Sequence, residues 1–327
     1  MAMGTSRGAM RKGWAARRLL GCTMLVPVAL ALAGPAAAQA PGAAPTGGRV
    51  SAGSAAIAQT PETTRITQSS DRAVIDWQRF DVGRNHAVKF RQPSASSWTL
   101  NRVDAPDPSL IAGRVTANGG VAIVNRSGVV FAEGAQVNVG SLIASAANIT
   151  NGNFMAGRMV FDGAPQPGAR VENRGDITVA DRGIAALVAP GVVNSGTIRA
   201  RLGRVALAGA ETYALDLAGD GLLSVEVTGA VRRAPDGATV LVTNAGVVEA
   251  QGGSVLLTAD AAQGLVEQVV RNTGRLSVAD AGGAAGQVAI RGRGGDVRVD
   301  GTVDATGARG GRIAVEAAGA TATIGAG

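Results

Sequence analysis

The feature of the sequence that most constrains its fold is a glycine-led repeat in the C-terminal half. Each unit opens with a glycine, and the residues two and four positions later are apolar, while the residue between them is polar. The five opening glycines are Gly175, Gly196, Gly246, Gly274 and Gly301. Asn stands two residues before the first four of them, and a second glycine in each unit leads another apolar pair. This period-two pattern favours short, half-buried β-strands.

The spacing of the repeat indicates a solenoid. Successive opening glycines are 21, 50, 28 and 27 residues apart, and periods of about 20–30 residues are typical of coils that bury one another's apolar faces. The glycine density excludes helices, and the consensus of leucine-rich repeats is missing. The interval of 50 residues predicts one further coil over residues 211–231. We therefore predict an all-β chain, a right-handed parallel β-helix of about ten to twelve coils with an N-terminal β cap.

Four large aromatic side chains lie in the N-terminal part of this predicted stack. They are Trp77, Phe80, Phe90 and Trp98. The end coil of a solenoid exposes its apolar layer unless a capping segment covers it. Large rings close to the N-terminus suit such a segment, and this supports the predicted cap.

The first 38 residues have the pattern of a secretory signal peptide. A basic lead is followed by an apolar run over residues 19–33 and by a triplet of alanines that ends at Ala38. Such a run is too short for a stable membrane span and precedes a small-residue cleavage site. We predict a signal peptide over residues 1–38, cleaved between Ala38 and Gln39. An Ala/Pro/Gly-rich flexible tether over residues 39–48 is predicted to follow.

Removal of the signal peptide changes what the charge implies. The whole chain carries a formal net charge of +7, and residues 1–38 contain five basic and no acidic residues, which leaves +2 for the remainder. A nucleic-acid partner is therefore not expected. The only cysteine, Cys22, lies in the same segment, so neither a disulfide nor thiol catalysis is expected.

A second signal is an ordered series of short motifs between residues 101 and 161. The series reads NRV at 101–103, ANG at 117–119, NRSGV at 125–129, VNVGSL at 137–142 and NFMAG at 153–157. Together with the upstream sequence over residues 67–97, these motifs resemble the N-terminal secretion domain of filamentous-haemagglutinin-like exoproteins, the large passengers of two-partner secretion (TPS). One motif differs, because Arg126-Ser127 stand where the family has Pro-Asn.

The resemblance implies a division of the chain and a route for it. Residues 49–161 would form the TPS domain with its cap and first coils, and residues 162–327 the β-helical repeat coils. The chain would be an adhesin-like passenger, secreted by a Gram-negative bacterium or displayed on its surface after crossing the periplasm. The implied partners are the general secretion machinery and an outer-membrane β-barrel transporter with periplasmic recognition domains. The passenger would fold into its β-helix outside the cell.

The same resemblance points to residues for transporter recognition or for nucleating folding. They are Asn101, Arg102, Asn118, Asn125, Arg126, Ser127, Gly128 and Val129. The alternative for residues 125–129 is a tight turn in which Asn and Gly serve their own backbone. Both roles are compatible, because a turn that sets the first regular coil is also needed for folding at the pore exit.

An enzyme is the first alternative function. β-Helical lyases and hydrolases of acidic polysaccharides place Asp clusters and basic residues in a lateral groove. The candidates here are Asp216, Asp220, Asp236, Arg232 and Arg233. Their irregular spacing favours solvated loop charges, and a Ser/His/Asp set would have to use the single histidine, His86. We therefore predict no enzymatic activity, no catalytic or metal-binding residues and no cofactor.

The second alternative is a surface module that captures haem or binds a host receptor or a carbohydrate. The tripeptide Arg174-Gly175-Asp176 matches the integrin-binding motif, but the repeat already accounts for Gly175 and for a strand that starts at Asp176. A haem or metal role for His86 needs further ligands, which the composition does not provide. A surface or turn position is predicted for His86.

Overall fold

Three long β-sheets form the faces of a parallel β-helix. The computed structural model describes Met1 and residues 39–217, 224–281 and 283–325, so the predicted signal peptide, apart from Met1, lies outside the described residues. Each regular coil contributes one strand to each face, and strands of successive coils pair in parallel and in register. The predicted all-β, parallel β-helical fold is confirmed. No helix within the described ranges is long and apolar enough to cross a membrane.

The elements are numbered in chain order. The cap and first coils contain β1 (Arg49–Ala52), β2 (Ala55–Gln59), β3 (Thr63–Gln68), β4 (Arg72–Trp77), β5 (Ala87–Arg91), β6 (Trp98–Val103), β7 (Ser109–Ile111), β8 (Arg114–Ala117), β9 (Gly120–Asn125), β10 (Gly128–Phe131), β11 (Gln136–Val139) and β12 (Ser141–Ser145). The middle contains α1 (Asn151–Met155), β13 (Met159–Phe161), β14 (Arg170–Asn173), β15 (Asp176–Val179), β16 (Ile184–Ala189), β17 (Gly191–Asn194), β18 (Thr197–Arg199), β19 (Arg204–Gly209), β20 (Thr212–Asp216) and β21 (Ser224–Gly229). The last part contains β22 (Val240–Asn244), β23 (Val247–Glu249), β24 (Ser254–Asp260), β25 (Gln268–Asn272), β26 (Arg275–Ser277), β27 (Gln287–Arg293), β28 (Asp296–Val299), β29 (Thr302–Asp304), β30 (Arg312–Ala318) and β31 (Ala322–Ile324).

The sheet orders define the coils. The first sheet runs β1-β4-β6-β9-β12-β16-β19-β24-β27-β30, the second β7-β10-β14-β17-β22-β25-β28-β31 and the third β2-β3-β5-β8-β11-β15-β18-β23-β26-β29. In the first sheet, β1 is antiparallel to its neighbour and the remaining nine strands are parallel, which gives nine coils among the described residues. This is fewer than the predicted ten to twelve. We number the coils along the first sheet, so that coil 1 contains β4, coil 2 β6 and coil 3 β9.

The predicted repeat register is confirmed. The residues two positions after the opening glycines form one inward column in the third sheet, and the first of each second apolar pair form another in the first sheet. The buried members are Ile177, Ile198, Val248, Leu276, Ala185, Val205, Val255 and Val288. The last member of the second column, Ile313, is 48% exposed because it belongs to the final coil.

The asparagines of the repeat form a buried ladder along the second sheet. Nδ2 of Asn173 donates to Oδ1 of Asn194 (2.8 Å), and Nδ2 of Asn194 donates to Oδ1 of Asn244 (2.7 Å). Asn244 donates in the same way to Asn272 (2.7 Å), and all four side chains are fully buried. The amides of Asn194 and Asn244 are satisfied by the coils before and after them, as buried polar groups must be. At the two ends, Oδ1 of Asn173 and Nδ2 of Asn272 bond the backbone of their own turns. In the next coil Val299 occupies the corresponding position.

The opening glycines are required by the close approach of consecutive coils. A Cβ atom on Gly246 would lie 2.1 Å from the carbonyl oxygen of Gly196, and one on Gly274 would lie 2.1 Å from the carbonyl oxygen of Gly246. Both distances are far below a van der Waals contact. Glycine therefore recurs at this position because the backbone of the preceding coil occupies the space that a side chain would fill.

Residues 211–231 do not form the predicted extra coil. β19 pairs directly with β24, so the coils before and after this segment are neighbours. The segment contains an antiparallel hairpin, β20 with β21, which joins β13 in a three-stranded sheet. An alternating apolar pattern suits any strand with one buried face, so it does not separate a coil strand from a hairpin packed on the outside.

The three-stranded sheet and α1 cover the outer face of the first sheet. The rings of Phe161 and Tyr213 stack with their centroids 4.6 Å apart, and both side chains are fully buried. This burial raises the pKa of the Tyr213 hydroxyl. Outward-facing residues of the first sheet, such as Ala186 and Val188, lie beneath the cover and are buried as well. The molecule therefore has a second apolar core outside the helix.

Antiparallel strands and aromatic rings close the N-terminal end. β1 pairs with β4 and β2 pairs with β3, each in antiparallel fashion. Trp77 and Phe80 contact each other edge to face with ring centroids 5.5 Å apart, and both are buried. The cap passes closely over them, since a Cβ atom on Gly48 would lie 2.4 Å from the Trp77 ring.

The segment predicted to be a flexible tether is instead fixed to coil 1. The backbone N–H of Gly83 donates to the carbonyl of Ala43, and that of Asn85 donates to the carbonyl of Pro41, both at 2.8 Å. The Pro and Gly residues of the segment suggested a loose chain. Proline lacks a donor, but its carbonyl still accepts hydrogen bonds, so a Pro-rich segment can be bound through its acceptors.

Candidate functional site

Asn101 joins the first three coils from inside the helix. Its Oδ1 accepts a hydrogen bond from Nε1 of Trp77 in coil 1 at 3.0 Å. Its Nδ2 donates to the carbonyl of Ala122 in coil 3 at 3.3 Å. The side chain is fully buried. The buried indole N–H of Trp77 has this amide as its partner, which gives Asn101 a structural role.

Arg102 performs a similar function on the outer face. It forms an ion pair with Asp76 of coil 1, with 2.6 Å between Nη2 and Oδ1. Its Nη1 also donates to the carbonyl of Ile149 at 3.3 Å, in the segment that leads to α1. Arg102 thus links coils 1 and 2 to the cover of the first sheet.

Asn118 closes the turn between the third and first sheets in coil 2. Its Oδ1 accepts from the backbone N–H of Gln92, and its Nδ2 donates to the carbonyl of the same residue, both at 2.9 Å. The Gln92 side chain is itself buried, and its Nε2 donates to Gly120 (2.8 Å) and to the Thr99 hydroxyl (3.0 Å). The Thr99 hydroxyl donates in turn to Gln68. Sequence reasoning missed this network, although Gln92 lies within the upstream sequence that resembles the family.

Residues 125–129 form the tight turn that was the alternative to a recognition motif. Oδ1 of Asn125 accepts from the backbone N–H of Ser127 at 2.9 Å, and its Nδ2 donates to the carbonyl of Asp107 and to the hydroxyl of Ser109. Gly128 has φ of +115°, and a Cβ atom there would lie 2.3 Å from the carbonyl oxygen of Arg170. The turn therefore bonds its own backbone and also fixes the loop of coil 2 beside it.

Arg126, one of the two residues that depart from the family pattern, secures a loop that follows β13. Its Nε donates to the carbonyl of Ala164, and its own carbonyl accepts from the backbone N–H of Gln166, both at 2.8 Å. The Ser127 hydroxyl donates to the carbonyl of Ala105 at 3.0 Å. The substituted pair therefore has structural contacts of its own in this chain.

The predicted recognition residues do not converge on one exposed patch. Asn101, Asn125, Gly128 and Val129 are buried. Among the eight, Asn118 and Arg126 have exposed side chains, while Arg102 and Ser127 are half-buried. The residues are distributed over coils 2 and 3, and what they share is that they join these coils to one another and to their neighbours.

The Arg174-Gly175-Asp176 tripeptide lies at the edge between the second and third sheets. The Arg174 guanidinium pairs with Glu172, and the Asp176 carboxylate lies 3.3 Å from Nη1 of Arg199 on the next coil. Gly175 is buried, and a Cβ atom there would lie 2.8 Å from the carbonyl oxygen of Ala132. Both charged ends of the motif are thus paired within the chain.

His86 follows a turn but lies in the interior of the cap and not on the surface. Its Nδ1 lies 3.0 Å from the carbonyl oxygen of Pro61, and its Nε2 lies 2.9 Å from the Thr64 hydroxyl. Because a carbonyl can only accept, Nδ1 carries a proton. Both ring nitrogens are therefore engaged. Composition alone did not indicate this interior position.

The cavity that contains two of the candidates for an enzymatic groove does not include the described candidate aspartates. Arg232 and Arg233 line a surface cavity of about 270 Å³ together with Glu211, not with the candidate aspartates. The carbonyl of Asp236 accepts from Arg170, Asp216 lies on β20, and Asp220 is outside the described residues. Within the described ranges, no group of three or more His, Cys, Asp or Glu side chains is arranged to hold a metal ion.

A family model described as TPS secretion domain matches residues 41–305. The chain belongs to the TPS secretion-domain family. The match takes in the cap, the motif-bearing coils and the repeat units as far as residue 305, a longer span than the motifs at residues 101–161 alone. The coils joined by Asn101 and Asn125 therefore lie inside the matched TPS region.

Two curated relatives of the TPS protein are named heme/hemopexin-binding protein and come from Haemophilus influenzae. The relative from strain Rd is 31% identical over 224 residues, which is 66% of this chain and 23% of the relative. The other is 43% identical over 86 residues, which is 26% of this chain and 9% of the relative. The chain thus spans less than a quarter of the length of the relatives it matches.

Solved secretion domains have the same fold. The secretion domain of HMW1 from Haemophilus influenzae superposes with a TM-score of 0.73 at 24% identity, covering 86% of this chain and 72% of that one. The secretion domain of filamentous hemagglutinin superposes with a TM-score of 0.54 at 17% identity, covering 86% and 99%. At these identities the likeness concerns the fold.

Proposed function

We propose that this chain is the N-terminal part of a two-partner secretion passenger that folds into a β-helix outside the cell. A signal peptide would direct it to the periplasm, where an outer-membrane β-barrel transporter with periplasmic recognition domains would bind the unfolded chain and export it. The observation that carries this proposal is the match of residues 41–305 to the TPS secretion-domain family. The proposal assigns no catalytic step to the chain.

The order of strand pairing supports folding from the N-terminus. Each coil pairs with the coil before it, and β1 and β2 cover the end from segments that precede coil 1 in the sequence. A chain that emerges N-terminal end first therefore has a folded template for every coil added after the starting coils. Each coil buries apolar strand faces, which contributes about 25 cal/mol per Å². This gain favours outward movement, because folded coils cannot slide back through a pore.

The cover of the first sheet can assemble only at a later stage of export. β13 leaves the helix after β12 of coil 4, but its partner β20 follows β19 of coil 6. The Phe161–Tyr213 stack can form only when both insertions have emerged. Export of the first six coils would therefore allow the three-stranded sheet to pack on the outer face and would make the exported portion more stable, while Leu256 and Ala289 of the next two coils add to the same core.

The candidate recognition residues would act before folding. Asn101, Asn125 and Gly128 are buried in the folded protein, so a transporter can contact their side chains or backbone only while the chain is unfolded. After export the same residues join coils 1 to 3. We therefore assign them a double role, in recognition of the unfolded segment and in nucleation of the first coils.

The relatives' name does not lead us to propose a haem site in this part of the chain. His86 is the only histidine, and both of its ring nitrogens already have partners. A histidine needs an open ring nitrogen to ligate a haem iron. For the complete passenger, which is longer in the relatives, we propose export and surface display and no further role.

Deletion of the cognate transporter tests the proposal. We expect the processed chain to disappear from the culture medium or cell surface, to accumulate in the periplasm and to be degraded there. Re-expression of the transporter should restore export. Equal amounts of chain outside the cell with and without the transporter would contradict the proposal.

A further inference from the structure

The outer face of the third sheet differs electrostatically between its two ends. In the later coils its arginines are neutralised by carboxylates on neighbouring coils. Arg199 lies 3.3 Å from Asp176 and 3.2 Å from Glu249, and Arg275 lies 3.1 Å from Asp304. Basic and acidic side chains are thus matched across the strands, as expected for a surface without a charged ligand.

In the cap and first coils, basic side chains on and beside the same face have no such partners. We define the cationic face as the exposed residues Arg65, Arg84, Lys89, Arg91 and Arg114. Within the part of the chain that the structure describes, none of the five is in an ion pair. The Nε of Arg114 donates to the Oε1 of Gln136 at 3.3 Å. Glu62 lines a cavity of about 370 Å³ with Arg84, Lys89 and Arg114, yet it is not paired with any of them.

The strand register places these charges close together. Arg65 of β3 and Lys89 of β5 are direct register partners, and Arg91 follows Lys89 by two residues on the same face. Arg114 of β8 is the partner of Ala87, so it lies diagonally from Lys89. With strands ~4.8 Å apart and alternate residues ~6.7 Å apart, the backbone positions of these four residues lie within roughly 10–15 Å of one another.

Unpaired cations at this spacing repel one another, and the repulsion is relieved by an anion that spans them. The neighbouring positions of the same outer rows are neutral and polar, as with Thr67 and Thr116. These side chains offer hydrogen bonds to hydroxyl groups. A flat row of cations flanked by such groups fits an extended ligand with repeated negative charges.

The surroundings favour a polysaccharide over other polyanions. The residues that alternate with the cations, Ile66, Val88 and Phe90, are buried in the core, so the face has no large apolar side chain to insert into a membrane. It also presents no aromatic ring on which a nucleic-acid base could stack. Clusters of Lys and Arg are a known type of site for heparin-like chains. We propose that the cationic face binds a linear polysaccharide that bears sulfate or carboxylate groups, a role that goes beyond export.

Titration with a heparin octasaccharide tests this inference on the secreted form of the chain. The variant R65E/K89E should bind about tenfold or more weakly than the wild type at low salt, and wild-type binding should weaken steeply as salt is raised. The matched control is R309E/R312E, which changes two exposed arginines near the C-terminal end by the same total charge. It should stay within about twofold of the wild type. Neutral dextran should not bind.

Three results would overturn the inference. The first is an R65E/K89E variant that binds heparin as the wild type does while retaining its circular dichroism spectrum and melting temperature. The second is an equal loss in R309E/R312E, which would show that only net charge matters. The third is tighter binding to a short DNA duplex or to vesicles with anionic headgroups than to the octasaccharide, which would assign the face to a different ligand.

Discussion

The first three coils and the repeat coils stack into one helix but are specified in different ways. In the first coils, single side chains make contacts that do not recur, such as Gln92 with Thr99 and Asn101 with Trp77. In the repeat coils, the same contact is made again at each step, as in the ladder from Asn173 to Asn272. The comparison teaches that an added coil can copy its predecessor, whereas the starting coils need individual interactions because they have no folded template.

The largest effect should come from a charge placed in an inward column of the repeat coils. Ile198→Asp would bury a carboxylate without a partner, and we expect a loss of more than about 4 kcal/mol in the free energy of unfolding or failure to fold. Arg199→Asp removes exposed ion pairs on the adjacent outward position and should cost about 1 kcal/mol or less. Urea unfolding followed by circular dichroism compares the two. Similar midpoints would show that the assigned register is wrong.

Substitutions in the asparagine ladder of the repeat coils should have smaller effects on stability, and they should be coupled in a way that a substitution of Asn101 in the first coils is not. Asn194→Ala removes the hydrogen bonds that the buried amides of Asn173 and Asn244 make with it and should cost about 2 kcal/mol. Because Asn194 and Asn244 share a hydrogen bond, Asn244→Ala should cost roughly 1 kcal/mol less in the Asn194→Ala variant than in the wild-type protein. Asn101→Ala should cost about 1–3 kcal/mol and be additive with Asn244→Ala. Additive stability losses for Asn194→Ala and Asn244→Ala would contradict cooperative hydrogen bonding in the ladder.

The third comparison concerns two glycines with positive φ in coil 3. Gly128 has φ of +115° and no room for a Cβ, whereas Gly134 has φ of +83° and open space around it. Gly128→Ala should therefore cost about 2–3 kcal/mol and Gly134→Ala about 1 kcal/mol. Thermal melts of the two variants measure the difference. An equal decrease would mean that backbone conformation alone, and not the contact with Arg170, makes Gly128 necessary.

The repeat coils could be predicted from the sequence because their pattern is local and periodic. The inward positions of Ile177 and Ile198, and the pairing of successive units, follow from alternation and spacing alone. The hairpin of β20 and β21 could not be predicted in the same way, because its alternation is that of a coil strand. A signal was present in fully apolar strands such as β16, whose two buried faces indicate a cover on the outside.

The motifs pointed to the candidate residues but could not indicate the contacts that these residues make. The motifs located Asn101 and Asn125, and the alternative of a self-bonded turn at residues 125–129 proved to describe the folded state. The partners of Asn101 and Arg102 lie on other coils, at sequence separations from 21 to 47 residues. Side-chain contacts of this kind depend on the register of the whole stack. The bound N-terminal segment was missed for the same reason, since its partners lie in coil 1.

The most direct test compares secretion with stability in two double variants. Asn125→Ala with Gly128→Ala alters the starting coils, and Asn244→Ala with Gly246→Ala alters a repeat coil. A Cβ atom on Gly246 would meet a neighbouring carbonyl oxygen at 2.1 Å, and Asn244 lies inside the ladder. The repeat variant should therefore be destabilised at least as much as the first when purified and refolded.

If the N-terminal segment is read by the transporter while unfolded, secretion should nevertheless fall more in the Asn125/Gly128 variant. The measurement is the amount of each variant outside and inside cells that contain the transporter, alongside the unfolding midpoint of each purified variant. Our account predicts that the order of secretion is opposite to the order expected from stability. Secretion that simply follows stability, or equal secretion of the two variants, would contradict a recognition role for residues 125–129 and leave them as a turn.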